Sequence, residues 1–228
     1  MKKLLISFFV LVISLNIFSQ NGRNGPSLWE EIRANSKLNY DNTKPQIIEA
    51  LKKYDSHQYL INRLSKNGQR YLFYTVSEAL KRDLPVELSL IPFIESQFDP
   101  YAQSSTGASG IWQFIPSTAK ENGLKKNWWY DARRDIVAST DAAYNFLTKL
   151  HQEHDDWLIA IAAYNAGPSR VRKEIKKNKA KGLPTDFWSL NLPKETKAYV
   201  PKILALSEVI RNPQLSNIEL PYLANRPY

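Results

Sequence analysis

No stretch of this 228-residue chain alternates apolar and polar residues with the period of two that a half-buried strand needs. Helical spacing recurs instead. Leu72, Val76 and Leu80 stand at i, i+4 and i+8 within 69–81, one stripe of an amphipathic helix. Ser27, ahead of Leu28-Trp-Glu-Glu-Ile-Arg33, reads as an N-cap with acidic residues in the first turn, where carboxylates complement the exposed amide N–H groups. After a polar break over 39–45, short helices are expected at 46–53 and 57–64. Leu84-Pro85 places Pro near the first position of a helix that delivers Glu95 at its C-terminal end. Residues 99–110, rich in Ser, Thr and Gly, read as loop, and Pro116 opens a short helix. Residues 135–151 form a long helix with Ile136, Ala143, Phe146, Leu147 and Leu150 turned inward, and 157–165 form another, stopped by Gly167-Pro168. A last helix covers 195–210. No internal repeat or low-complexity run interrupts this pattern, so the expected fold class is mostly α.

The first residues read as an address. Lys2 and Lys3 precede an apolar run, Leu4 to Phe18, that is short for a membrane span and is interrupted by Asn16. Ile17 and Ser19 suit a cut before Gln20, so 1–19 is expected to be a secretory signal peptide. The chain has no cysteine, hence no disulfide and no acceptor for a lipoprotein-type lipid. These features predict an exported protein, periplasmic or secreted, with no stable membrane anchor after cleavage. Removing Lys2 and Lys3 lowers the formal charge from +9 to +7, still basic. Basic excess suits an anionic polymer. For an exported chain the cell wall, with its peptide and lactyl carboxylates, is a better match than nucleic acid, and no nucleic-acid partner is expected.

Glu95 closes an apolar run that includes Leu88, Leu90, Ile91, Phe93 and Ile94, and a loop carrying Ser104 and Gln113 follows it. A carboxyl group in an apolar pocket holds its proton to higher pH, because ionisation there forfeits hydration. That is the property of a general acid in glycosidic cleavage. Taken alone, Glu95 is better explained as a solvated helix-end carboxylate; the surrounding motifs reverse that balance. Gly107-Ala-Ser-Gly110 permits a tight loop whose backbone can approach a ligand. It is no phosphate cradle, since no Lys-Ser/Thr follows at the required offset. Ala162-Ala-Tyr-Asn-Ala-Gly-Pro168 sets Tyr164 and Asn165 at the end of a helix of small residues, and both are expected to be exposed at a rim. Glu195 and Tyr199 stand one turn apart on one helix face, a spacing that a purely structural pair shares.

Trp112, Trp128, Trp129 and Tyr130 offer aromatic faces for sugar rings, although aromatics are also core filler; one or two are expected to touch a ligand. His151 and His154, with Asp155, lack a third partner at metal-ligand spacing and read as a solvated helix end; no metal or cofactor is expected. The basic stretch Lys173 to Lys181 reads as solvated helix and loop. A cysteine peptidase is excluded by composition, and no Gly-x-Ser-x-Gly elbow supports a serine hydrolase.

Taken in order, Glu95-Ser96, Gly107-Ala-Ser-Gly-Ile-Trp-Gln-Phe114, Ala163-Tyr-Asn-Ala-Gly167 and Glu195-Thr-x-x-Tyr-Val200 resemble the soluble-lytic-transglycosylase domain family. The likeness to its membrane-bound D-type branch extends further. It takes in Leu28-Trp29, Leu84-Pro-Val-Glu-Leu88, Ile115-Pro-Ser-Thr118, Asn127-Trp-Trp-Tyr-Asp131 and Pro184-Thr-Asp-Phe-Trp-Ser189. The resemblance implies a lysozyme-like (goose-type) helical catalytic domain over 84–212, preceded by an N-terminal helical extension over 20–83 and followed by a tail over 213–228. The D-type lipid-bearing cysteine and LysM wall-binding repeats have no counterpart in the sequence, so neither is carried over. Asp99 stands where the family's loop often has Asn.

The resemblance also implies a chemistry: cleavage of the β-1,4 bond from N-acetylmuramic acid to N-acetylglucosamine in peptidoglycan glycan strands, without water. Glu95 would act as acid and then as base, and the product would carry a 1,6-anhydro ring. Ser104, Gln113, Tyr164, Asn165 and Tyr199 match family positions that bind substrate, with Glu195 and Ser96 supporting them from behind. A monomer is expected. Two alternatives stay open at this level: a hydrolytic muramidase with a second carboxylate (Asp99, Asp131 or Asp135), and a glycan-binding protein without catalysis.

Overall fold

The computed structural model describes residues 25–55, 57–215 and 217–227. The expected signal segment lies outside the described residues. Among them are ten α-helices: α1 (Leu28–Ala34), α2 (Pro45–Asp55), α3 (Gln58–Gly68), α4 (Leu72–Lys81), α5 (Ile91–Ser96), α6 (Pro116–Glu121), α7 (Ile136–His154), α8 (Trp157–Ala166), α9 (Pro168–Ala180) and α10 (Lys194–Arg211). Short 3-10 turns cover Val86–Leu90, Phe187–Ser189 and Pro213–Leu215. No extended strand occurs among the described residues, and pairing is confined to isolated bridges such as Gln103 with Ser109 and Ser109 with Phe114.

Two helices organise the core. α8 is apolar on all sides, with Leu158 through Ala163 buried, as an interior helix must be. It packs against α7, α9 and α10. Asp156 starts it by accepting hydrogen bonds from the Leu158 and Ile159 amides. α10 is buried for most of its length from Thr196 to Ile210 and continues through Pro201, although that residue has no amide to donate. It lies against α1, α2, α5 and α8, so residues 25–83 share one hydrophobic core with the rest of the chain.

The segment before Glu95 departs from the single helix expected from Leu84-Pro85. Val86–Leu90 is a 3-10 turn, and α5 is a separate six-residue helix. Pro92 offers no amide N–H for a continuous α-helical ladder here. Buried Glu87 is also held elsewhere, accepting the Lys37 and Leu38 amides at 3.2 and 3.1 Å. α5 then stops abruptly. Gln97 adopts the left-handed conformation and its amide reaches the Phe93 carbonyl, while the Phe98 amide reaches Pro92. Glu95 therefore sits one residue from the end of a helix fixed on both sides.

Two other expectations need correction. His151 and His154 are not a solvated helix end. Asp155, at φ 52°, turns the chain directly into α8, so His151 stacks on Trp157 at 4.0 Å and the His154 side chain is only 7% exposed. Among the described residues no group of three or more His, Cys, Asp or Glu side chains could hold a metal ion. The basic stretch is not wholly solvated either, because Val171, Glu174 and Asn178 line the buried face of α9 while its Arg and Lys residues project outward.

Candidate active site

The loop between α5 and α6 is built on glycine and arginine. Gly110 has φ +81°, and a Cβ there would lie 1.8 Å from the Arg133 carbonyl oxygen, so no other residue fits. Buried Arg133 donates to the Gly107 and Phe114 carbonyls at 2.7 and 3.1 Å and pairs with Asp131 through two contacts, at 2.9 and 2.6 Å. Ser96 ties α5 to this loop, its hydroxyl lying 3.0 Å from both the Pro92 and Ile111 carbonyl oxygens.

A cavity of about 340 Å³ opens between this loop, α5, the end of α8 and the start of α10. It brings together Glu95, Ser104, Gln113, Tyr164, Asn165 and Glu195. Tyr199 lies beneath, buried, and its hydroxyl donates to Glu95 Oε1 at 2.5 Å. Burial pushes the Glu95 carboxyl up to about 7; the Tyr199 hydrogen bond pulls against that, and the Glu195 charge adds to it. The Tyr199 hydroxyl is itself driven well above its ordinary range by burial, so it remains a donor. With Oε1 occupied, the proton of the neutral acid belongs on Oε2.

The other expected residues are placed as follows. The Ser104 hydroxyl accepts the Ala108 amide at 3.0 Å and contacts Thr106 at 2.9 Å, closing the loop as much as facing the cavity. Gln113, at φ 50°, spends its amide donors on the Ala102 and Gly110 carbonyls, at 3.2 and 2.7 Å, which leaves its oxygen as an acceptor. Tyr164 is not the exposed rim residue expected. It is half-buried, and its hydroxyl donates to the Trp112 carbonyl at 2.6 Å, because the small residues of α8 draw that helix close against the loop. Asn165 Oδ1 accepts from the Thr196 hydroxyl at 2.7 Å, which frees the amide N–H groups for a ligand. Glu195 stands exposed in the first turn of α10 and acts on Glu95 through charge rather than through a bond to Tyr199.

Sequence reasoning missed Thr196, Phe146 and Thr118. Thr196 is 1% exposed and fixes Asn165; Phe146 and Thr118 supply cavity wall. For Thr196, its place beside Glu195 on α10 was the available signal. Trp112 was wrongly counted among the candidate sugar faces. It is fully buried, with Nε1 donating to Thr140 at 3.0 Å and its ring edge-on to Tyr144. Trp128 and Trp129, by contrast, are 88% and 90% exposed.

None of the three aspartates considered as a second carboxylate lines the cavity. Asp99 accepts the Tyr101 amide at 2.8 Å. Asp131 is held below the usual carboxylate range by Arg133, and Asp135, also lowered, caps α7 through the Val137 and Ala138 amides. The arrangement is one carboxylic acid that keeps its proton up to about pH 7, with amide and hydroxyl groups around it and the Glu195 carboxyl on the cavity wall. It can deliver a proton to a leaving oxygen and take one back.

Residues 75–186 match the Transglycosylase SLT domain family. Membrane-bound lytic murein transglycosylase D of Escherichia coli (strain K12) is 48% identical over 177 residues, which are 77% of this chain and 39% of that protein. This chain thus spans about two fifths of the length of that relative. A protein of Alteromonas sp. (strain M-1) named for tributyltin chloride resistance is 39% identical over 72% of this chain and 77% of its own length. Among solved structures, the 70 kDa soluble lytic transglycosylase of Escherichia coli aligns with a TM-score of 0.49 and 21% identity, over 82% of this chain and 34% of that one. On the residues matched and the 48% identity over 77% of its length, the chain belongs to the transglycosylase SLT domain family.

Proposed function

We propose that the protein is a peptidoglycan lytic transglycosylase that cleaves the β-1,4 bond from N-acetylmuramic acid to N-acetylglucosamine without consuming water. The observation that carries this reading is a buried carboxyl group in the cavity that keeps its proton up to about pH 7, with one oxygen fixed by Tyr199. Glu95 gives its proton to the leaving glycosidic oxygen as the C1–O bond breaks and positive charge develops on the sugar ring. The muramic N-acetyl oxygen stabilises C1 from the opposite face. Glu95, now a carboxylate, takes the proton of the C6 hydroxyl as O6 bonds to C1 and closes the 1,6-anhydro ring. The acid is regenerated and no water enters the balance.

Asn165, with its oxygen held by Thr196, offers amide donors to the sugar, and Gln113 offers an acceptor. Such fixed partners are worth most in a restricted cavity, where they orient substrate in advance. Ser104 and Tyr164 hold the walls on which those partners stand. The division into an extension over 20–83, a catalytic domain over 84–212 and a tail over 213–228 belongs to the same proposal, as do export through residues 1–19 and action as a monomer on envelope glycan strands. No described helix is long and apolar enough to cross a membrane.

Release of soluble muropeptides from purified sacculi tests the reading. The protein should solubilise them and Glu95→Gln should not, while keeping the folded circular dichroism spectrum. Equal release by both forms would remove Glu95 from the chemistry.

A further inference from the structure

A second cavity, of about 450 Å³, opens in the seam between α2 and α10, with Leu60 of α3 in its wall. It shares no lining residue with the catalytic cavity. The α10 side is one helical stripe: Lys194, Lys197, Ala198, Pro201 and Lys202 follow at i, i+3, i+4, i+7 and i+8. Across from it, Ala50 and Tyr54 of α2 are buried, and the Tyr54 hydroxyl donates to the Lys202 carbonyl at 3.3 Å. The alanines on the two helices are too short to fill the seam. They leave a space with an apolar floor and a charged rim.

The charges on that rim do not balance. Glu49 is the carboxylate among the lining residues, and Lys53 on the same helix pairs with it at 3.1 Å. Lys194, Lys197 and Lys202 are exposed and have no carboxylate partner among the described residues. Three unpaired ammonium groups around one concave space call for an anion. Their chemistry narrows the choice. A carboxylate is matched best by the flat, two-pronged fork of arginine, and no arginine lines this cavity. A phosphate group spreads its charge over oxygens that point in different directions. Separate ammoniums on flexible four-carbon stems can meet each of them.

We infer that this cavity binds a phosphate group carried on a short organic stem, with Lys194, Lys197 and Lys202 on the phosphate oxygens and the stem against Ala50, Ala198 and Pro201. Two sources share that chemistry, a phospholipid headgroup and a soluble phosphate ester. The site stands apart from the glycan chemistry at Glu95 and does not depend on it.

The test titrates the protein with glycerol 3-phosphate at constant ionic strength, followed by amide-resolved NMR, beside glutarate, a dicarboxylate without phosphate. Saturable shifts at Lys194, Lys197, Ala198 and Lys202 are expected with glycerol 3-phosphate, at an affinity about tenfold or more above that for glutarate. Exposed ion pairs are individually weak, so all three lysines are replaced together. Lys194→Gln/Lys197→Gln/Lys202→Gln should keep the folded circular dichroism spectrum and lose about tenfold or more in affinity. Lys173→Gln/Lys176→Gln/Lys179→Gln removes the same charge from α9 and should match the parent. Co-sedimentation with phosphatidylcholine vesicles, with and without phosphatidylglycerol, separates the two sources. Retention on phosphatidylglycerol vesicles that only the α10 variant loses assigns the site to a lipid headgroup. Binding of glycerol 3-phosphate without that retention assigns it to a soluble ester. Equal affinity for glutarate, an equal loss in the α9 variant, or no binding in either arm would overturn the inference.

Discussion

Tyr199 donates a 2.5 Å hydrogen bond to Oε1 of Glu95, while Glu195 raises the same carboxyl through its charge alone. One neighbour favours the ionised form and the other the neutral form. The basic limb of the pH–activity profile reports that balance, since activity needs the proton on Glu95 and falls tenfold per pH unit once it is lost, above about 7. Tyr199→Phe should move this limb to higher pH, and Glu195→Gln to lower pH. Profiles of kcat/KM for the two variants check the sign, and a shift of both in one direction would contradict the geometry.

Glu95 should be a site where function costs stability. The folded protein keeps its proton to about pH 7, whereas the carboxyl's ordinary value is 4.5. Between those values the folded state binds more protons than the unfolded chain, so stability falls as pH rises through the window. Glu95→Gln removes the penalty. Urea denaturation should show the variant more stable than the parent at pH 8, by up to about 3 kcal/mol, and no gain at pH 4.

Thr196 should matter without touching substrate. Thr196→Val keeps the shape and deletes the bond to Asn165 Oδ1, so the amide is free to rotate. Loss of one such bond costs about 1 kcal/mol of stability and, through the misplaced amide, about tenfold in kcat/KM. Asn165→Ala should lose as much, and the double variant little more than either alone. Additive losses in that cycle would mean that Thr196 acts elsewhere.

Glycines in this chain are not equivalent. Gly110→Ala meets the Arg133 carbonyl at 1.8 Å and should cost more than about 3 kcal/mol, collapsing the loop above Glu95. Gly123 also has positive φ, at +78°, but nothing lies within 4 Å of its missing Cβ. Gly123→Ala should cost about 1 kcal/mol and leave activity intact. Thermal unfolding of the two variants distinguishes steric from conformational cost.

Much of this molecule was legible in its sequence because its signals are local. Ser27 and Gly167-Pro168 mark helix ends by backbone chemistry, and the helix expected over 157–165 is α8. Glu95 was singled out by the loop and the motifs that follow it, since its apolar run alone favoured a solvated carboxylate. What escaped depends on distant partners. The 3-10 turn ahead of α5 is held by Glu87 accepting amides from Lys37 and Leu38, some fifty positions away. The Tyr164 hydroxyl is claimed by the Trp112 carbonyl and the indole of Trp112 by Thr140, pairings that no spacing rule contains. His151 was misread because the left-handed turn at Asp155, which brings it onto Trp157, has no glycine to announce it.

Mass spectrometry of the muropeptides released from sacculi tests the central claim most directly. Glu95 acting as acid and then as base predicts products ending in 1,6-anhydro-N-acetylmuramic acid, one water lighter than hydrolytic products and absent with Glu95→Gln. Products with reducing ends would contradict the account and make Glu195, the other carboxylate lining the cavity, the candidate for activating water.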